Sequence, residues 1–151
     1  MHTIRSGGRR WSLCAESELT RLDRTLLRSA MEAADHASPR FSKFRVGAAA
    51  RIGGSTDVIS GWNVEDQSLA AVLHAEQAVL IAAGHLRQGP VKVLRMAIWG
   101  HGDVPPCGRC RQMIVDSNPA ARVLFPYGGG ILVAAAEELL PLRFSLPPTP
   151  G

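Results

Sequence analysis

The spacing of apolar positions changes along the chain and predicts a series of helices and strands. Over residues 17–37 apolar side chains recur at helical spacing, which indicates an amphipathic helix that ends at Ser38-Pro39. Further helices are predicted at residues 74–83, 107–116 and 134–140. Short β-compatible segments occur at residues 46–52, 57–63, 91–99, 121–125 and 131–133. This order predicts a three-layer α/β/α domain with a mixed five-stranded sheet.

Glycines and prolines mark the limits of several elements. Gly53-Gly54-Ser55 separates the first two strands and predicts a hairpin, and Gly84 is predicted to end the second helix. A chain of 151 residues is expected to form one domain, which we place at residues 16–146. Residues 1–15 are expected to be a flexible basic N-terminal arm, and residues 147–151 a loose proline-rich tail.

Composition adds little to this description. The formal net charge is +4, part of it in the N-terminal arm, and 5% of the residues are aromatic. This favours a solvated basic surface over a nucleic-acid partner, because few aromatic side chains are left for stacking on bases. No stretch has the form of a signal peptide or the length of a membrane span, so we expect a cytoplasmic protein with no membrane partner. A hydrophobic content of 46% leaves apolar surface that an oligomer interface could cover.

The three cysteines indicate a metal site instead of a disulfide framework. Cys107 and Cys110 form a C-x-x-C pair, which in a reducing compartment is typical of metal or redox sites, whereas Cys14 is expected to be an ordinary thiol. Alone, the pair fits a structural zinc or redox site better than a catalytic one. Together with His74 it offers three zinc ligands and leaves a fourth position open, as in catalytic zinc sites.

The spacing of these residues also predicts how they are held. Cys107 and Cys110 lie three positions apart, so on a helix they share one face, and Pro106 suits the start of that helix. His74 and Glu76 lie two positions apart and would point to nearly opposite sides of a regular helix. Both can serve one pocket only if His74 stands at the helix entry. We therefore expect two helix N-termini to converge on the metal.

H-x-E followed by P-C-x-x-C is the known signature of zinc-dependent base deaminases. Five separated motifs extend this signature in order and in register, and over roughly residues 20–145 the chain resembles the cytidine deaminases. The motifs are Phe41-Ser42-Lys43-Phe44-Arg45-Val46-Gly47-Ala48-Ala49, Gly61-Trp62-Asn63-Val64-Glu65, His74-Ala75-Glu76-Gln77, Cys107-Gly108-Arg109-Cys110-Arg111-Gln112, and Leu139-Leu140-Pro141 with Phe144.

The resemblance implies an enzyme and a cofactor. The reaction would be the zinc-dependent hydrolytic deamination of cytidine and deoxycytidine to uridine and deoxyuridine, with release of ammonia, in pyrimidine salvage. One zinc ion per chain would be held by His74, Cys107 and Cys110. Glu76 would be the catalytic residue that moves protons between water and the pyrimidine.

The resemblance also implies contacts with a small nucleoside substrate. Phe44 would pack against the pyrimidine, Asn63 and Glu65 would hydrogen-bond the ribose 3′-hydroxyl, and Ala75 would offer its backbone to the base. The small form of the family is a homotetramer with shared active sites, so Phe144 is expected to reach a neighbour's pocket.

The chain departs from many small family members in two places. Those members carry a third cysteine where His74 stands together with an arginine where Gln77 stands, and they have an aromatic residue near Leu69. The first departure is expected to leave the chemistry intact, whereas the second bears on substrate preference.

Three other interpretations compete with this one. The closest is a deaminase of a cytosine nucleoside antibiotic such as blasticidin S, whose family shares the C-G-R-C-R-Q run, although Glu65 argues against it. An editor of RNA or single-stranded DNA would need a groove with stacking aromatics. A non-enzymatic zinc module would use a fourth protein ligand.

Overall fold

The computed structural model describes residues 2–6, 9–68 and 70–147. Its strands are β1 (His2–Ser6), β2 (Arg9–Cys14), β3 (Val46–Ile52), β4 (Val58–Trp62), β5 (Val93–Gly100), β6 (Arg122–Tyr127) and β7 (Gly130–Ala135). Its α-helices are α1 (Arg21–Ala34), α2 (Ala75–Arg87), α3 (Gly108–Ser117) and α4 (Ala136–Leu139). A short 3-10 turn, Glu16–Glu18, precedes α1.

All seven strands form one sheet in the order β1-β2-β7-β6-β5-β3-β4. Strands β5 and β6 pair in parallel, and the other described neighbours pair antiparallel. The predicted α/β fold with a mixed sheet is therefore confirmed, although the sheet has seven strands where five were expected.

Alternation along the central strands divides the core into two layers. In β3, Ala48 and Ala50 pack in the cluster with α2 and α3, whereas Ala49 packs in the cluster with α1. Helix α1 approaches β3 very closely at Gly47. A Cβ atom there would collide with the carbonyl oxygen of Ala30 and lie 2.5 Å from the backbone nitrogen of Ala34. Glycine is thus required for this packing.

The segment predicted to be a flexible arm, residues 1–15, instead contains both β1 and β2. Residues 12–14 of β2 pair antiparallel with residues 131–133 of β7, and this hairpin accounts for the two unexpected strands. The apolar run from Trp11 to Cys14 explains the pairing, because Trp11 and Leu13 pack against one core cluster and Cys14 is buried in the other. Gly7, Gly8 and residues 148–151 lie outside the described residues.

Helix α2 runs past the residue that was predicted to end it. Gly84 lies inside the helix, which ends where Gln88 adopts a left-handed conformation with φ of 51°. An internal glycine costs a helix only about 1 kcal/mol, and the buried residues Leu80 and Ala83 anchor this turn to the core.

An ion-pair network attaches α1 to strands β5 and β6, on the face of the sheet opposite α2 and α3. The carboxylate of Asp23 is fully buried and accepts hydrogen bonds from Arg95 of β5 at 2.7 Å and from Arg122 of β6 at 3.1 Å. Burial alone would raise the pKa of Asp23, but the hydrogen bonds from Arg122, Thr20 and Arg95 outweigh it and lower the pKa. No helix in the described ranges is long and apolar enough to cross a membrane.

Candidate active site

Two helices begin at the predicted metal ligands. His74 is the residue before α2 and Cys107 is the residue before α3, and both have extended backbone conformations. This confirms the prediction that His74 stands outside regular helix geometry, so that His74 and Glu76 face one cavity. The Nδ1 atom of His74 lies 3.5 Å from the sulfur of Cys107 and 3.5 Å from the sulfur of Cys110.

These three side chains fit a zinc ion. Their ligand atoms all lie within 4.8 Å of one another, and no other such group of three occurs among the described residues. A tetrahedral zinc with bonds of about 2.0–2.3 Å would separate nitrogen and sulfur by about 3.6 Å, close to the observed distances. Three protein ligands would leave a fourth position on the ion for water, and two of them, His74 and Cys107, line the cavity. The donor set therefore fits one zinc ion per chain.

Burial makes this donor set dependent on a cation. Burial, together with the charges of Glu76 and Cys107, raises the pKa of the Cys110 thiol, so without a cation the thiol keeps its proton at neutral pH. Zinc requires the thiolate, and binding must therefore release a proton.

Glu76 lies in the first turn of α2 and is 4% exposed. Burial raises the pKa of its carboxyl group, while the nearby charge of His74 acts in the opposite direction. A carboxyl group whose pKa is raised toward neutrality can take up and return a proton, which is the property of a general acid and base.

One cavity of about 270 Å³ joins most of the predicted site. Seven of the nine predicted residues line it: Phe44, Asn63, Glu65, His74, Ala75, Glu76 and Cys107. Cys110 is buried behind them. Five other lining residues had no predicted role: Ser42, Val46, Val72, Val104 and Pro105. Ser42 and Val46 belong to the first family motif, and that position is the sequence signal that could have pointed to them.

Phe144 does not line this cavity. Its side chain is 69% exposed, and its carbonyl oxygen accepts a hydrogen bond of 3.1 Å from Gln112 of α3. The structure thus separates Phe144 from the site of its own chain and leaves its predicted contact with a neighbouring chain as a prediction.

The loop that carries Phe44 is held by Asn63. The amide oxygen of Asn63 accepts from the backbone N–H of Val46, and its nitrogen donates to the carbonyl of Phe44, both at 2.9 Å. Gly100 lies beside this loop, and a Cβ atom there would come within 3.2 Å of the carbonyl oxygen of Arg45. It would also lie 3.4 Å from the ring of Phe44 and 3.2 Å from Val104.

Gln77, one of the departures from many family members, is bound to an arginine from another helix. Its Oε1 atom accepts from the backbone N–H of His74 at 3.1 Å and from Arg109 at 2.7 Å. Arg109 also donates to the carbonyl of Val72 at 3.0 Å. A guanidinium group therefore does stand beside the ligands, but it comes from α3, a role that sequence reasoning missed. Leu69 lies outside the described residues.

Comparisons with known proteins agree with this site. Residues 20–126 match the family model described as the cytidine and deoxycytidylate deaminase zinc-binding region. The cytidine deaminase of Mycobacterium tuberculosis is 40% identical over 97 residues, which cover 63% of this chain and 71% of that protein. The crystal structure of cytidine deaminase from Burkholderia pseudomallei superposes with a TM-score of 0.72 at 32% identity, covering 83% of this chain and all of that one.

A weaker similarity reaches the antibiotic deaminases. Blasticidin-S deaminase of Bacillus cereus is 40% identical over 42 residues, which cover 28% of this chain and 30% of that protein. The family model spans most of the chain. The matches to the two cytidine deaminases also cover most of the length of each of those proteins. The chain therefore belongs to the cytidine deaminase family.

Proposed function

We propose that this protein catalyses the hydrolytic deamination of cytidine and 2′-deoxycytidine to the uracil nucleosides, with release of ammonia. The observation that carries the proposal is the single cavity, which places the metal-ligand group and Glu76 together with Phe44, Asn63 and Glu65. The metal ligands and Glu76 suit deamination of an amino-pyrimidine. Phe44, Asn63 and Glu65 suit recognition of its base and sugar.

The catalytic end of the cavity divides two tasks. When bound by His74, Cys107 and Cys110, zinc supplies Lewis-acid activation of water. Glu76 accepts the proton of the attacking water and delivers it to N3 of the pyrimidine, and it then assists the departure of the amino group as ammonia. Its burial keeps bulk water away from this proton transfer. Ala75 is fully buried at the same helix start and offers its backbone to the base.

The sugar end retains capacity for a hydroxyl group. Asn63 uses one N–H and one oxygen lone pair to hold the Phe44 loop, which leaves a second N–H and a second lone pair. We assign these, with the carboxylate of Glu65, to the ribose 3′-hydroxyl, and we assign the half-exposed ring of Phe44 to packing against the pyrimidine.

The charge of the cavity favours a nucleoside over a nucleotide. In the described part of the chain, no lysine or arginine lines it, whereas two carboxylates, Glu65 and Glu76, do. A 5′-phosphate would therefore find no lysine or arginine there and would be repelled by the ionised carboxylate of Glu65. Deoxycytidine should be a much better substrate than its 5′-monophosphate.

A substrate panel tests the proposal. Ammonia release would be followed with cytosine, cytidine, deoxycytidine, deoxycytidine 5′-monophosphate, blasticidin S and a cytosine-containing oligonucleotide. Rapid reaction with the two nucleosides, and slow reaction with the rest, is the expected result. Preference for blasticidin S would identify an antibiotic deaminase instead, and efficient reaction within the oligonucleotide would overturn the assignment of a free 3′-hydroxyl.

The assembly and the cellular role are part of the proposal. We assign a homotetramer in which Phe144 completes the site of a neighbouring chain, supported by its exposure together with that of Leu142 and Leu146 on the same C-terminal segment. Pyrimidine salvage in the cytoplasm is the role that the reaction would serve. Sedimentation analysis, and activity measured across protein concentrations, would test the assembly.

A further inference from the structure

Ser42 joins the proposed sugar-binding carboxylate to the loop that carries the aromatic ring. Its hydroxyl donates to Oε1 of Glu65 at 2.5 Å and accepts from the backbone N–H of Phe44 at 3.1 Å. Ser42 also lines the cavity, beside Glu65 and Phe44. One hydroxyl group therefore contacts both halves of the proposed nucleoside site.

The hydrogen bonds to Glu65 restrict where a substrate can bind. Its Oε2 atom accepts from the backbone N–H of Phe41 at 2.7 Å and from that of Ser42 at 3.0 Å. A carboxylate oxygen offers about two lone-pair positions, so Oε2 is filled. Oε1 accepts the Ser42 hydroxyl and keeps one position. The described contacts thus leave a single acceptor position on Glu65, next to the oxygen of Ser42.

We propose that Ser42 is a positioning residue for substrate recognition: its hydroxyl orients the remaining acceptor position of Glu65 toward the ribose 3′-hydroxyl and links that contact to the placement of Phe44. The inference rests on the proposed function and adds to it a specificity-determining residue. Without the Ser42 hydroxyl, Glu65 has two open positions on Oε1 and no preferred direction for the sugar. The backbone N–H of Phe44 also loses its acceptor.

This arrangement couples the sugar to the base. Lys43, between Ser42 and Phe44, has a left-handed backbone with φ of 60°. This conformation costs energy for any residue other than glycine, so it persists only where the surrounding structure holds it. The bonds from Phe41, Ser42 and Phe44 enforce this loop shape from both sides. A ribose hydroxyl bound at Glu65 therefore contacts the same network that holds the aromatic ring.

The test compares Ser42→Ala with the wild type on cytidine and 3′-deoxycytidine. For cytidine, kcat/KM should fall about tenfold, mainly through KM, because a bond that orients a charged acceptor is lost. For 3′-deoxycytidine the fall should be small, so the preference for cytidine shrinks at least about fivefold. Ser42→Thr keeps a hydroxyl at an exposed position and should restore most of that preference.

Ser68→Ala is a matched control. Ser68 bonds to Asp66 with both its hydroxyl and its backbone N–H and accepts from the backbone of Ala70, so it repeats the arrangement outside the cavity. Its kinetics should match those of the wild type within about twofold.

Three outcomes overturn the inference: an equal loss on both substrates in Ser42→Ala, no loss on cytidine, or no recovery in Ser42→Thr. Equal losses would mark Ser42 as a structural residue of the loop. A wild type that does not deaminate cytidine would instead refute the proposed function, which separates the two failures. Melting temperature and zinc content, measured on every variant, identify any loss of fold.

Discussion

Two carboxyl groups line the cavity, and their surroundings shift their pKa values in opposite directions. Burial raises the pKa of Glu76, whereas hydrogen bonds from Ser42 and Phe41 lower the pKa of the partly exposed Glu65. A carboxyl group with a raised pKa holds a proton at higher pH than an ordinary glutamate does, while one with a lowered pKa stays ionised and acts as a fixed acceptor. The comparison teaches that the environment, and not the residue type, distinguishes the two glutamates to which we assign acid–base chemistry and sugar recognition.

The two ends of the cavity also differ in how they are built. The catalytic end is formed by the first turns of α2 and α3, where His74 and Cys107 precede the helices and Cys110 is buried. The sugar end is formed by a loop whose shape depends on side chains of Asn63, Glu65 and Ser42. At the catalytic end, activity should be lost abruptly when a metal ligand is replaced. At the sugar end, each substitution should weaken substrate binding by a limited amount.

The largest effect is expected from removing a metal ligand. Cys110→Ala should abolish zinc binding and all measurable turnover, because two protein ligands remain from a site of three. Metal analysis with ammonia release checks this. Cys14→Ala is the matched control, since Cys14 is also a buried thiol but lies outside the ligand group. Zinc retained at full occupancy in Cys110→Ala would remove this residue from the site.

Glu76→Gln tests the acid–base role that we assign to the buried glutamate. The amide keeps the shape of the side chain but cannot carry a proton, so turnover should fall at least about 10²-fold while zinc and fold are retained. Steady-state kinetics together with zinc content provide the measurement. Turnover within a few fold of the wild type would mean that another group moves the proton.

Glu65→Gln changes the same group at the sugar end and should cost far less. We expect KM for cytidine to rise about tenfold with kcat nearly unchanged, because a contact to substrate is weakened and no proton carrier is lost. A fall in kcat as large as that of Glu76→Gln would contradict the division of roles.

The pH dependence of this variant sharpens the comparison. Because hydrogen bonds from Ser42 and Phe41 lower the pKa of Glu65, its carboxylate stays ionised to a lower pH than that of an ordinary glutamate, and the contact is lost as pH falls through that lower value. Wild-type KM should therefore stay flat down to about pH 5. An increase of KM already between pH 7 and about pH 5, absent from Glu65→Gln, would show that Glu65 protonates earlier than its hydrogen bonds imply.

Asp23→Asn should have the smallest effect on catalysis, because Asp23, unlike Glu65 and Glu76, lies outside the cavity. Stability should fall by about 1–3 kcal/mol, with kcat/KM unchanged, because Arg95 and Arg122 lose a charged partner but remain partly exposed. The lowered pKa of Asp23 means that its contribution is present above its unfolded pKa of about 3.9 and disappears as pH falls through the lower folded value. Denaturant unfolding at several pH values measures this, with exposed Asp57→Asn as the control.

Spacing along the sequence predicted the features that depend on local geometry. His74 and Glu76, two positions apart, required a helix start at His74, and the structure has one. The β3–β4 hairpin and the helix after Pro106 follow from similarly local signals. The family resemblance, carried by motifs, selected seven of the twelve residues that line the cavity. All of these depend on order and spacing, which a sequence contains.

Contacts between distant segments were not predictable in the same way. Arg109 reaches Gln77 across 32 positions, and Glu65 reaches Ser42 across 23, so neither pairing leaves a periodic signal. The hairpin of β1 and β2 was missed because its short apolar run lies within a basic segment. Gly84 misled the prediction of a helix end because packing outweighed its low helix propensity.

The N-terminal hairpin has a consequence for solubility. Without β2, strand β7 would be an outer strand of the sheet, with open backbone groups from Ile131 to Val133 and apolar side chains beside them. Open edges of this kind invite pairing with other chains and aggregation. A shortened protein that begins near residue 20, where the family match starts, would keep every residue of the cavity, yet it would expose this edge. The hairpin, none of whose described residues lines the cavity, therefore covers the edge of the sheet that carries the site.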